Sequence, residues 1–169
     1  MRNRPWITHY DEGVPAELDY PAITIPDILR ISAIEYPENI ALIQGENSIT
    51  YKNLNTESKK LAIKLVGRGL EKGDRVAICI PNQIEFVISF YAILMAGGVV
   101  AALNPTYTVR ELEFQVGIAK PKFVIASLRY LEKLIAIKSS FKFESILISK
   151  EGKDIFDVKL EIDGEHAIF

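Results

Sequence analysis

The chain has 169 residues, 49% of them hydrophobic and 25% charged, which is enough to bury one real core and too apolar for a disordered segment. Its formal net charge of -2, with lysines interspersed among acidic residues, leaves no electrostatic footprint for nucleic acid. Cys79 is the single cysteine and sits in an apolar strand pattern; this excludes an intramolecular disulfide, points to a reducing, cytoplasmic compartment, and makes the thiol a small hydrophobe rather than a nucleophile.

Residues 1–23 read as an extended arm, because Pro5, Pro15 and Pro21 discourage helix while Trp6, Tyr10 and Tyr20 offer large surfaces to bury on the body or on a partner. The first residues are basic, yet no apolar run follows of the kind a signal peptide needs. His9 in the arm and His166 near the far end have no second ligand at metal spacing and read as surface residues. Thr24 and Asp27 then mark a helix start, with Ile25, Ile28, Leu29, Ser32 and Tyr36 on one face and Pro37 as the stop. IALIQ and SITY flank Gly45-Glu46-Asn47 as a short hairpin. A second helix follows: Leu54, Ser58, Leu61, Ala62 and Leu65 recur at helical spacing, Lys59, Lys60 and Lys64 turn to solvent, and Gly67 and Gly69 close it.

The run from Phe86 to Leu103 carries no charge and is about as long as the roughly 18 apolar residues that flag a membrane span. A second reading divides it. RVAICI is a strand ended by Pro81; Asn82 and Glu85 stand as N-cap and N3 partner of a helix whose Phe86, Val87, Phe90, Tyr91, Leu94 and Met95 are apolar around much of its circumference; and Gly97-Gly98 stops that helix before the strand VVAAL. Thr108 and Glu111 form a second capping box, opening a helix with Leu112, Gln115, Val116 and Ala119 inward that ends before Pro121. KFVIAS is a strand, Leu128 to Lys138 a helix with Leu131, Leu134 and Ile135 inward, and SILIS a strand. A span would leave RVAICI and KFVIAS without a sheet to join, so the divided reading prevails and no transmembrane segment is expected. Strands alternating with helices predict an α/β fold, a parallel, Rossmann-like doubly wound sheet with right-handed crossovers, over residues 24–149. In the tail, 150–169, the pattern weakens to one alternating strand signal at Val158, Leu160 and Ile162.

The glycines of Gly67-Arg68-Gly69-Leu70-Glu71-Lys72-Gly73 imitate a dinucleotide fingerprint, but they follow a helix and precede a strand. A pyrophosphate needs the reverse order, in which the glycines lead into a helix N-terminus. No Walker-type loop, paired-His site or nucleophile elbow is visible, so the residues propose no catalytic, cofactor-binding or metal-binding side chain.

Four motifs in order, ITYKNL (Ile49 to Leu54), GDRVAICIPNQIEF (Gly73 to Phe86), ILMAGGVVAALNPTYTVRELE (Ile93 to Glu113) and an apolar strand after AKPK, resemble the N-terminal part of the adenylate-forming acyl-CoA synthetases. Within them the chain is most similar to the long-chain fatty-acid CoA ligases, and the arm with Trp6, Tyr10 and Gly13-Val14-Pro15 resembles that subgroup too. The resemblance implies a two-step ligase using ATP, Mg2+ and CoA, in which a fatty acid becomes an acyl-adenylate and then a thioester. It also implies that the phosphate loop and later motifs belong beyond Phe169. The matched residues are then architectural anchors: Tyr51 and Leu54 for the second helix, Gly73 and Asp74 for the turn into the strand, Pro81 and Asn82 for its end and the next cap, Gly97 and Gly98 for the helix stop, and Asn104, Pro105, Thr108 and Glu111 for the loop and helix after VVAAL. The reading is an N-terminal, truncated piece of such a ligase, inactive alone and partnered by the missing remainder or by itself, with a homodimer through the arm as the family's precedent. The alternative is a free-standing, non-catalytic interaction module derived from that family.

Overall fold

Local signals decide where most of the elements begin. The computed structural model describes residues 4–138, 141, 145–149, 158–163 and 166–168, and from residue 138 onward it describes the backbone alone except at residue 141. Expectations for residues 150–157 and for the side chain of His166 lie outside the described residues. Helix α1 (Ile25–Glu35) opens on the expected capping box, with the Thr24 hydroxyl accepting the Asp27 amide and the Asp27 carboxylate accepting the Thr24 amide. Strands β1 (Ile40–Gln44) and β2 (Asn47–Thr50) form a separate antiparallel hairpin, turned at Gly45 with φ +58°. Helix α2 (Tyr51–Gly67) starts on Tyr51 because the Thr50 hydroxyl accepts the Asn53 amide, so the strand expected to include Tyr51 ends one residue early. Its buried residues are Leu54, Ser58, Leu61, Ala62 and Leu65, the face expected from spacing, and Lys59, Lys60 and Lys64 are exposed.

The chain continues through β3 (Arg75–Cys79), α3 (Ile84–Met95), β4 (Val99–Ala102), α4 (Val109–Ala119), β5 (Phe123–Ser127), a 3-10 turn at Leu128–Tyr130, α5 (Leu131–Lys138), β6 (Ser145–Ser149), β7 (Val158–Asp163) and β8 (His166–Ile168). The sheet order is β4-β3-β5-β6-β7-β8. Its first four strands are parallel, β7 pairs antiparallel with β6 and β8 antiparallel with β7, so the expected parallel sheet is the larger part of a mixed one. Strand alternation divides the core between two faces. Val76, Ile78, Ile80, Phe123 and Ile125 meet α2 and α3; Ala77, Cys79, Val124 and Ala126 meet Leu112 and Val116 of α4 and Leu131, Leu134 and Ile137 of α5. From β3 the chain steps one way along the sheet through α3 to β4, then back past β3 through α4 to β5 on the other face. That reversal makes the sheet doubly wound.

Several expectations about faces need correction. On α1 the buried residues are Leu29 and Ala33, while Ile25, Ile28 and Tyr36 are about half exposed; α1 touches its neighbours along a narrow line, so spacing alone overstates the buried stripe. On α3 the deepest residues are Glu85, Ile88, Ser89, Ala92 and Ile93, and the larger Phe86, Val87, Phe90, Tyr91 and Met95 pack half-buried around that core cluster. On α5 Leu131 and Leu134 are buried as expected, but Ile137, three residues beyond Leu134, completes the buried stripe and Ile135 is exposed. The arm is not wholly extended: Pro5–His9 forms a 3-10 turn, and Trp6, Tyr10 and Tyr20 remain exposed. Helix α3 has 12 residues, about 18 Å of rise against the roughly 30 Å of a bilayer core, and among the described residues no helix is long and apolar enough to cross a membrane.

At the junction of α3 and β4, Gly97 takes φ +79°, and Gly98 lies where a Cβ would stand 3.0 Å from Ile93 Cγ2 and 3.2 Å from the Asp74 main-chain oxygen. Gly67, at the end of α2, has nothing within 4 Å of the equivalent point. Gly98→Ala is therefore expected to cost about 1–3 kcal/mol through overpacking against backbone, and Gly67→Ala to be neutral or stabilising by up to about 1 kcal/mol. Urea unfolding of the two variants checks this, and equal midpoints would contradict it.

Candidate functional site

Ten of the twelve anchor residues divide between the two edges of the sheet, and Tyr51 and Leu54 lie on α2. At the amino edge the Asp74 carboxylate accepts the Glu71 amide at 2.8 Å and pairs with Lys122 Nζ at 2.9 Å, and the same ammonium donates to the Gly69 carbonyl at 2.8 Å. The Asp74 carbonyl accepts the Val99 amide, and the Gly73 amide donates to the Gly97 carbonyl. Gly73 has φ +88°, a backbone shape that a side chain would strain. Gly73, Asp74, Gly97 and Gly98 thus meet as one joint between the turn into β3, the end of α3 and the start of β4. The Gly67 to Gly73 run belongs to this joint and lies beside no helix N-terminus.

The carboxyl edge carries the remaining anchors. Asn104 closes a turn through its own side chain, whose Oδ1 accepts the Thr106 amide at 3.1 Å and the Thr106 hydroxyl at 2.8 Å. Thr108 and Glu111 form the expected capping box on α4. Lys133 of α5 donates to the Tyr107 carbonyl at 2.7 Å and the Pro105 carbonyl at 3.4 Å, which fastens this loop to the neighbouring helix; spacing alone does not single it out. Tyr51 and Leu54 stand apart, on the first turn of α2 under the hairpin.

Asn82 does not cap α3. The N-cap position is Gln83, whose side chain makes no capping bond, and the Ile84 amide is instead met by Gln44 Oε1 from the end of β1 at 2.8 Å. A cap supplied from 40 residues away leaves no trace in the local pattern. It also draws the hairpin over the end of β3 and encloses a groove of about 440 Å³. Leu42, Ile43, Ile84, Phe86 and Val87 form its apolar wall, and Gln44, Asn82 and Gln83 form its amide rim. Asn82 and Gln83 of the groove follow the carboxyl end of β3, and the winding of the sheet reverses at the crevice between the carboxyl ends of β3 and β5. Open α/β sheets receive ligands at such a crevice. Arg129 is exposed in the turn that follows β5.

This arrangement can seat an apolar or neutral group and orient it, but the groove's lining holds no ionisable side chain to move a proton. Nor does that donor set fit a magnesium-bound triphosphate, which needs carboxylate oxygens on the metal and a cradle of amides around the phosphates. Among the described residues no group of three or more His, Cys, Asp or Glu side chains is placed to hold a metal ion. Cys79 is fully buried in β3, and burial pushes its thiol up to about 11, with Lys133 acting weakly the other way.

The family described as AMP-binding enzyme matches residues 29–166. A long-chain-fatty-acid–CoA ligase of Bacillus subtilis is 38% identical over 146 residues, covering 86% of this chain and 26% of that protein. A solved structure from Rhodopseudomonas palustris assigned to the long-chain-fatty-acid CoA ligases superposes with a TM-score of 0.72 at 24% identity, over 79% of this chain and 34% of the other. The anthranilate CoA ligase AuaEII in complex with anthranoyl-AMP superposes with a TM-score of 0.70 at 21% identity, over 73% of this chain and 24% of the other. At these identities the two structures establish the fold. The chain spans about a quarter of the length of the curated relatives it matches.

Three carboxylates are held below the ordinary carboxylate range. Asp27 is lowered chiefly by the Thr24 hydroxyl, Asp74 by the Glu71 amide and then Lys122, and Glu111 by the Thr108 amide and hydroxyl. A folded-state value below the unfolded one, which lies near 4, gives stability that is complete above that value and lost as pH falls through the folded value. Unfolding midpoints measured downward from about pH 5 are therefore expected to decline, and Asp74→Asn to flatten the decline; an unchanged acid limb in that variant would contradict the assignment. The Cys79 thiol is expected to react with a disulfide reagent at pH 8 only after unfolding, so labelling of the native chain at the rate of a free thiol would overturn its burial.

Proposed function

Because the chain belongs to the AMP-binding enzyme family, we propose that it forms the N-terminal wall of a long-chain fatty-acid CoA ligase and is inactive without the remainder of that enzyme. The observation that carries this reading is the 38% identity to the Bacillus subtilis ligase across 86% of the chain, with the family match running from α1 to β8. The reaction of the whole enzyme joins a fatty acid to ATP, giving acyl-adenylate and pyrophosphate, and then exchanges AMP for the thiol of CoA. ATP, Mg2+ and CoA are its proposed cofactors.

The wall's contribution is positional. The α/β unit proposed over residues 24–149 holds the sheet whose carboxyl edge presents the apolar groove, residues 1–23 serve as the arm, and the proposed tail, 150–169, adds β7 and β8 to the sheet. Most of the anchors act through two joints: Gly73, Asp74, Gly97 and Gly98 fix β3 against β4, and Asn104, Pro105, Thr108 and Glu111 shape the loop that Lys133 holds against α5. A cytoplasmic setting suits a chain whose single thiol is buried and unpaired.

The second reading, an interaction module, draws on the arm. Trp6 is 54% exposed and Tyr20 77% exposed, and Val14 and Leu18 add apolar surface to the same segment, so more than half of the area of each of these side chains is left to solvent. Association of two copies through the arm would provide cover.

Fatty-acid-dependent ATP–pyrophosphate exchange is expected to be absent from the purified chain and to appear when the chain is co-expressed with a related ligase lacking its first quarter. Exchange by the chain alone would refute inactivity, and no exchange from the pair would count against the wall. Sedimentation across a concentration series is expected to show dimers that the double variant Trp6→Ala, Tyr20→Ala abolishes; a concentration-independent monomer in the unaltered chain would remove the arm from any interface.

A further inference from the structure

We draw no further inference here: the strongest candidate, the solvent-facing apolar patch that Phe114 and Ile118 form on the outer side of α4 beside the groove at Tyr107 and Gln115, carries nothing because nothing in the structure shows what covers it.

Discussion

The main-chain oxygen of Asp74 is the point on which the sheet depends. It accepts the Val99 amide, and that bond sets β4 against β3 in register, Arg75 opposite Val99 and Val76 opposite Val100. The approach is close enough that a Cβ on the intervening Gly98 would lie 3.2 Å from that oxygen. The Asp74 side chain works in the other direction, holding the Glu71 amide and Lys122, the residue immediately before β5 that is itself within reach of Gly69. One residue therefore sets the starting level of β3, β4 and β5 together. In a parallel sheet that matters more than in a hairpin, because no tight turn fixes the register of neighbouring strands.

With the amino ends level, the carboxyl ends are set by strand length, and the groove and crevice follow. Strands β3 and β5 are both five residues long and buried along almost their whole length, so their ends emerge side by side. The Gln44 bond to the Ile84 amide then fastens the hairpin over the end of β3. Lys133 does the corresponding work on the opposite face, tying the Asn104 loop down to α5. These two long-range contacts each use a side chain to satisfy backbone groups that would otherwise sit unpaired at an element's end. They tie the carboxyl edge of the sheet to the hairpin and to α5.

What can be read from the residues follows from how local each cause is. The face of α2 is legible in full because five residues on one stripe meet a sheet and two helices, and both Thr-based capping boxes are legible because their partners lie three residues apart. The start of α3 is not, since the deciding donor–acceptor pair joins residues 44 and 84. The stripe of α5 is read only in part: Leu131 and Leu134 are inward as spacing suggests, while both i+1 and i+3 from Leu134 are isoleucines and it is Ile137 that joins the core. The antiparallel β7 and β8 leave only one weak alternation in the sequence. The groove inherits the same limit as α3, because Leu42, Ile43 and Gln44 of its lining arrive from the hairpin.

The conflict between strong family motifs and missing chemistry resolves in the same terms. A residue that sets strand level or caps a helix must satisfy backbone geometry common to every member of the fold, whatever acid is being activated. Gly73, Asp74, Gly97, Gly98, Asn104, Thr108 and Glu111 all act on backbone amides, carbonyls or positive φ. Residues that read a substrate are free of that demand and are placed by it instead. Within the stretch Gly73 to Glu111 the anchors just named act on backbone geometry, and the apolar centre that imitates a membrane span is the consequence of burying a 12-residue helix between a sheet and two neighbours.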